Sequence, residues 1–199
     1  MRPGFVAFEG IDGSGKTTVS SRVHAVLQAR GERVVLTAEP TSEWLGDAVR
    51  RSYAEDVGPI AESFLFLADR ARHVDSIRRL VAEGHIVLCD RYADSTFAYQ
   101  GARLEGVVED PIGSLRRTSE SWLLAPDLTI LIRVTAELGM TRIRDRPHRV
   151  RFEDLAFLRK VAANYDILAR GEGHVVLDGG RPMDEVVGSA IQAIEKALR

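Results

Sequence analysis

The run Gly10-Ile11-Asp12-Gly13-Ser14-Gly15-Lys16-Thr17-Thr18 fits the pattern Gly-x₄-Gly-Lys-Ser/Thr. An apolar run, Phe5-Val6-Ala7-Phe8, precedes it, and an amphipathic segment, Val19 to Ala29, follows. Strand, loop and helix in that order separate a phosphate-binding loop from a Gly/Ser turn that happens to precede a lysine. The glycines let the backbone curl until several N–H groups point at one anion, and the helix behind adds the positive end of its dipole. Lys16 would then reach the β- and γ-phosphates of a nucleoside triphosphate, and the Thr17 hydroxyl would ligate Mg²⁺. Of 27 Lys+Arg, only Lys16, Lys160 and Lys196 are lysines, so a lysine at this position stands out against an arginine-rich background. A compact ammonium on a flexible stem suits a narrow phosphate cradle, where a planar guanidinium fork does not.

The rest of the chain alternates short apolar runs with helical periods. Val19, Val23, Val26 and Leu27 fall at helical spacing, with Gly31 placed for a left-handed cap. Val34-Val35-Leu36 reads as a buried strand leading to Glu39-Pro40, and Thr41 to Gly46 has no clear period. Ile60, Phe64, Leu67, Ala71, Val74 and Val81 form the core stripe of a long helix closed by Gly84. Ile86 to Cys89 is a third strand, leading into Asp90-Arg91-Tyr92, and a polar, partly helical region runs on to Pro126. Leu128 to Val134 and Val175 to Leu177 complete a set of strands, with helices expected over Ala136–Asp145, Asp154–Arg170 and Met183–Leu198. Such a pattern predicts a three-layer α/β/α domain around a five-stranded parallel sheet covered on both faces. In such sheets ligands bind beyond the carboxyl ends of the strands, where the phosphate loop, Glu39-Pro40 and Asp90-Arg91-Tyr92 would converge on one cleft.

At 199 residues a single domain is expected, spanning 1–199. A net charge of -2 argues against broad nucleic-acid or acidic-membrane binding. No run is long enough for a membrane span, and the single cysteine, Cys89, fits a buried small hydrophobe in a cytoplasmic protein. The five histidines show no metal-ligand spacing and read as surface or helix-end residues.

Several constellations carry chemistry. Asp90 follows a strand, as an acidic residue organising Mg²⁺ would, and Arg91 could grip a phosphate; the pair could equally cap the next helix. Phe66 and Arg70 share a helix face about 80–120° from the apolar stripe. There they offer a stacking surface and a fork, or Phe66 packs against a neighbouring helix. Ser95, Thr96, Tyr99 and Gln100 could read a ligand edge, or start and solubilise a helix. Arg142, Arg144, Arg146, Arg149 and Arg151 make a cationic run around Pro147-His148, a solvated helix end or a lid over the nucleotide. A lid arginine is worth roughly 10³–10⁵ in rate for phosphoryl transfer.

Taken in order, Phe8-Glu9-Gly10-Ile11-Asp12-Gly13-Ser14-Gly15-Lys16-Thr17-Thr18, Phe66-Leu67-Ala68-Asp69-Arg70, Asp90-Arg91-Tyr92 with Ser95-Thr96 and Tyr99-Gln100-Gly101, and Pro126-Asp127-Leu128-Thr129 resemble the motifs of thymidylate (dTMP) kinases. Leu177-Asp178 is similar to the family's last strand exit. The resemblance implies a P-loop nucleoside monophosphate kinase fold, transfer of phosphate from ATP to dTMP with Mg²⁺, and a homodimer. It implies that Phe66 stacks on thymine and Arg70 bonds a base carbonyl. Arg91 would hold the acceptor phosphate with Glu39 nearby, and Asp12 would approach the sugar 3′-hydroxyl. Ser95 and Thr96 would face the base edge, and Tyr99 would crowd the place of a ribose 2′-hydroxyl. The phosphate loop has no arginine of its own, which directs catalytic charge to a lid at about 142–153, with Arg149 best aligned beside Lys16 and Asp90. Three positions depart from the family pattern: Ala38-Glu39-Pro40-Thr41-Ser42 lacks an arginine and two glycines, Arg133 stands at an often acidic position, and Pro147 at a frequent glycine. A deoxynucleoside kinase is the nearest rival. A GTPase is disfavoured, because the only asparagine, Asn164, precedes Tyr165 and not the lysine of a guanine-reading run.

Overall fold

A computed structural model describes residues 1–144 and 154–199. Five strands, β1 (Gly4–Glu9), β2 (Val34–Ala38), β3 (Ile86–Asp90), β4 (Leu128–Arg133) and β5 (His174–Asp178), form one sheet in the order β2-β3-β1-β4-β5. All four pairings are parallel. The chain leaves β1 toward one side of the sheet and later returns to its other side at β4. The cleft therefore opens at the carboxyl end of β1, where the sheet's winding reverses.

Period-two alternation along β1 splits the core. Val6 and Phe8 pack with Val19, Val23 and Leu27 of α1 (Lys16–Ala29) and with Val187, Ile191 and Ile194 of α8 (Met183–Ala197). Phe5 and Ala7 face the opposite layer. There Leu67, Val74 and Ile77 of α3 (Pro59–Ala82), Ala98 of α4 (Ala93–Arg103) and Leu158 and Val161 of α7 (Leu155–Leu168) close over the sheet. Two shorter helices, α5 (Pro111–Ser119) and α6 (Ala136–Ile143), flank this layer, and α2 (Trp44–Ser52) packs on α3. Gly31 and Gly84 end their helices at φ of 82° and 90°, the left-handed caps the sequence predicts.

Four expectations change. The outer strands β2 and β5 are only half-buried, because each has a neighbour on one side alone. The aperiodic stretch after Pro40 leads into α2, whose buried positions are Gly46, Val49 and Ser52; only one of them is apolar, so no hydrophobic period shows. On α3 the stripe is rotated. Ile60 and Phe64 are 49% and 59% exposed and Ala71 is exposed, while Glu62, Asp69, Arg70 and His73 are buried beside Leu67, Val74 and Ile77. The helix faces the sheet with a polar network, so apolar residues alone misplace its inner side. His73 is accordingly a buried residue and not a surface one.

Candidate active site

Strand β1 delivers the loop Gly10–Gly15 to the start of α1. The loop's path needs left-handed backbone at Gly13 (φ 78°) and Gly15 (φ 94°). A Cβ on Gly13 would also lie 2.2 Å from the carbonyl oxygen of Gly139, so α6 abuts the loop backbone to backbone. Lys16 is 5% exposed; its Nζ donates to the Ile11 carbonyl at 3.3 Å and lies 3.9 Å from Oδ1 of Asp12. Burial, and then the Arg91 charge, lower the ammonium's pKa from 10.5 to about 8. Ser14 is buried, with its hydroxyl unpartnered, while Thr17 and Thr18 are exposed on the first turn of α1.

The Thr17 hydroxyl donates to Oδ2 of Asp90 at 2.5 Å, and Oδ1 of Asp90 is buried without a partner. A hydroxyl and a carboxylate with an unmatched oxygen make a hard-oxygen donor set of the kind Mg²⁺ takes. Next to Asp90, Arg91 adopts a φ of 70°, and its guanidinium reaches Oδ1 of Asp12, the Ser95 hydroxyl at 3.2 Å and the Gly10 carbonyl at 3.5 Å. It also lies over the Tyr99 ring, 5.2 Å from the centroid. Asp12, Arg91, Ser95 and Tyr99 therefore form one group, joining the exits of β1 and β3 to α4.

A second, buried group stands behind it. Arg70 donates to Oε2 of Glu39 at 2.6 Å, to the Tyr92 carbonyl at 2.7 Å and to the Thr96 hydroxyl at 2.8 Å, and its Nε is left unpartnered. The other Glu39 oxygen pairs with Nδ1 of His73 at 2.9 Å, whose Nε2 is 2.9 Å from the Thr37 hydroxyl. Glu39 is thus turned into this network beside Arg70 rather than toward Arg91. Ser95, Thr96, Tyr99 and Gln100 are all buried, so they do not serve to solubilise α4.

Beside the first group lies a cavity of about 110 Å³ lined by Asp12, Pro40, Tyr53, Phe66, Arg91, Ser95, Tyr99 and Gln100. Phe66 lines it and also meets Tyr53, just after α2, at 6.3 Å between ring centroids. Both polar atoms of the Gln100 amide are buried and unpartnered.

Several departures find local explanations. Thr41, in place of a glycine, gives its backbone N–H and hydroxyl to Asp69 at 2.8 and 2.5 Å. Arg50 of α2 binds the Pro40 and Thr41 carbonyls at 3.1 and 2.7 Å, so the loop after β2 is fastened from both sides. Arg133 is exposed and pairs with Asp166 at 2.8 Å. Arg142, in the last turn of α6, reaches the Gly13 and Gly179 carbonyls at 3.4 and 3.0 Å. Arg144 is exposed, and Arg146, Pro147, Arg149 and Arg151 lie outside the described residues.

Sequence reasoning assigned no role to Glu9, Tyr53, Asp69, Gly139 or Tyr165. Glu9 is fully buried, and burial, with Asp94 adding to it, pushes its carboxyl up against the opposing pull of Ser95, Tyr92 and Arg91. An acidic residue wedged between an apolar strand and a phosphate loop was the one available signal for it.

A family model described as thymidylate kinase matches residues 8–190. A probable thymidylate kinase from Methanoculleus marisnigri is 42% identical over 184 residues, covering 91% of this chain and 89% of that protein. One from Methanococcoides burtonii is 36% identical over 201 residues, covering 100% and 99%. Another, from Natronomonas pharaonis, is 38% identical over 199 residues, covering 97% and 98%. With the phosphate loop, the Asp90-Arg91 strand exit and the Phe66 cavity assembled in one cleft, the chain belongs to the thymidylate kinase family.

Proposed function

We propose that this chain transfers the γ-phosphoryl group of ATP to dTMP, giving dTDP and ADP. The observation that carries the reading is the buried, unpartnered amide of Gln100 in the wall of a cavity that Phe66 also lines. A buried amide without partners is unfavourable unless a ligand supplies them. The edge of thymine, an N–H flanked by two carbonyls, offers an acceptor for the amide N–H and a donor for its oxygen. Arg70, whose Nε–H is also buried without a partner, would bind a second carbonyl. Phe66 gives the ring a stacking face.

Arg91 would bind the 5′-phosphate of the acceptor, and Asp12 the sugar 3′-hydroxyl, with Tyr99 closing the ribose side beside Ser95, while Thr96 and Glu39 would hold Arg70. The loop Gly10, Gly13, Ser14, Gly15, Lys16, Thr17 and Thr18 would hold the triphosphate. An oxygen of the acceptor phosphate attacks the γ-phosphorus as the bond to the β-bridging oxygen breaks, leaving ADP. That oxygen is already a competent nucleophile, so alignment and charge neutralisation by Lys16 are the protein's main tasks. Thr17 and the free oxygen of Asp90 would hold Mg²⁺, which when bound neutralises the β- and γ-phosphate oxygens. Arg149 belongs to the same proposal as the cation of a lid at about 142–153, within a single domain spanning 1–199. The exposed Ile60 and Phe64 on α3 support a homodimer. The same proposal places its work in the cytoplasm; no helix among the described residues is long and apolar enough to cross a membrane.

ATP-dependent ADP release measured with dTMP, dUMP, dCMP and thymidine tests the reading. Turnover is expected to be fastest with dTMP and at least about tenfold slower with thymidine, which has no phosphate for Arg91. Faster turnover with thymidine, or none with any pyrimidine monophosphate, would reject it.

A further inference from the structure

Arg91 and Asp110 are the two non-glycine residues with positive φ among the described residues. Left-handed backbone is unfavourable for an arginine, so the surroundings must hold it. Three contacts do so around the turn. The Arg91 N–H donates to the Phe8 carbonyl at 2.9 Å, the Cys89 thiol lies 3.0 Å from the Arg91 carbonyl, and the Tyr92 N–H donates to Oε1 of Glu9 at 2.8 Å.

Glu9 does more than accept that one bond. The same Oε1 takes the Ser95 N–H at 3.1 Å, while Oε2 takes the Ser95 hydroxyl at 2.6 Å and the Tyr165 hydroxyl at 2.9 Å. Four donors thus converge on two oxygens, from the β3 exit, α4 and α7. The N-cap of α4 is Tyr92, whose own side chain makes no capping bond, so a carboxylate from β1 caps this helix from outside. The Ser95 hydroxyl also accepts from the Arg91 guanidinium at 3.2 Å. Glu9 therefore reaches both ends of Arg91, its backbone through Tyr92 and its side chain through Ser95.

We propose that Glu9 is a positioning residue for the acceptor phosphate, fixing the Arg91 turn and aiming its guanidinium at the cavity. The inference rests on the reading that Arg91 binds that phosphate. Glu9→Gln is the informative change. Its amide oxygen can keep both backbone N–H groups, but its NH₂ meets the two hydroxyls as a donor and reverses the link through Ser95 to Arg91.

The test is steady-state kinetics of wild type, Glu9→Gln, Ser95→Ala and the double variant, with thermal melting of each. Glu9→Gln is expected to raise KM for dTMP about tenfold and leave KM for ATP within about twofold. The double variant is expected to be little worse than Ser95→Ala, because both act through one link. A purely structural role would lower the folded fraction, and with it apparent kcat, without moving either KM. An unchanged dTMP KM, equal rises in both KM values, or fully multiplying effects in the double variant would overturn the inference. If Glu9→Gln does not fold, Tyr165→Phe takes its place: a selective rise in dTMP KM supports the inference and an unchanged one overturns it. A wild type inert toward dTMP defeats the proposed function and this inference together, whereas an active wild type with an unaffected variant defeats the inference alone.

Discussion

The Tyr99 hydroxyl meets Asp12 twice, accepting from its backbone N–H at 2.9 Å and donating to its Oδ2 at 3.0 Å. Burial pushes the Tyr99 hydroxyl pKa up, with the Asp12 charge adding to it, so the phenol stays a donor throughout the working pH range. Asp12 is held on its other oxygen by Arg91. The phosphate loop is therefore tied to α4 by a phenol and to the β3 exit by a guanidinium, and Asp12 is where the two ties meet.

Tyr99→Phe removes both bonds while keeping the ring beneath Arg91. Losing them is expected to cost about 1–3 kcal/mol, which in a chain of this size lowers Tm by roughly 2–10 °C. Without the phenol, the Asp12 carboxylate is expected to be held less firmly toward the sugar site proposed for it. KM for dTMP is expected to rise several-fold, with kcat less affected. Thermal melting and steady-state kinetics check the two effects separately, and an unchanged Tm would show that the loop does not lean on Tyr99.

How much of this was legible beforehand follows from what each position must do. Uniformly apolar runs such as Ile86 to Cys89 are forced by burial on both faces, so the parallel sheet could be read directly. The phosphate loop was equally plain, because its glycines and lysine answer to the geometry of the anion. The inner face of α3 was not, since Asp69, Arg70 and His73 are buried there while Ile60 and Phe64 face outward. A hydrophobic period measures burial only where burial is apolar. Glu9 escaped for a related reason: its partners, Tyr92 and Ser95 at the start of α4 and Tyr165 in α7, come from two parts of the chain far from it in sequence.

Lys16 is expected to make nucleotide binding sensitive to pH. In the free chain its pKa is lowered from 10.5 to about 8, so the unfolded state binds more protons than the folded one between those values. The sign is definite: the cost of burying the charged ammonium is borne in full below about pH 8 and relieved as pH rises toward 10.5. Binding a triphosphate works in the opposite direction, since the anion needs the charged form. ATP affinity is therefore expected to be flat below pH 8 and to weaken by up to about tenfold per unit above it. Fluorescence titration of ATP between pH 6.5 and 9.5 measures this, and Lys16→Arg, which stays charged, is expected to flatten the profile even though it binds less tightly. A wild-type profile that stays flat through pH 9.5 would refute the assignment.

Gly139 and Gly188 predict opposite outcomes for the same substitution. Both lie in helices, α6 and α8, where Gly→Ala alone would stabilise by about 1 kcal/mol. Nothing lies within 4 Å of a Cβ added at Gly188, so Gly188→Ala is expected to realise most of that gain. At Gly139 the added Cβ would sit 2.6 Å from the Asp12 carbonyl oxygen and 3.0 Å from Cδ1 of Ile11. A backbone oxygen cannot rotate away as a side chain can, so either α6 recedes or the phosphate loop moves. Overpacking of this kind costs about 1–3 kcal/mol, enough to exceed the helix gain. Because Gly13 rests on the Gly139 carbonyl, displacement should also spread to the triphosphate cradle. Gly139→Ala is thus expected to lower Tm and raise KM for ATP by about tenfold or more, while Gly188→Ala raises Tm and leaves KM unchanged. Equal effects at the two positions would show that the contact between α6 and the loop does not shape nucleotide binding.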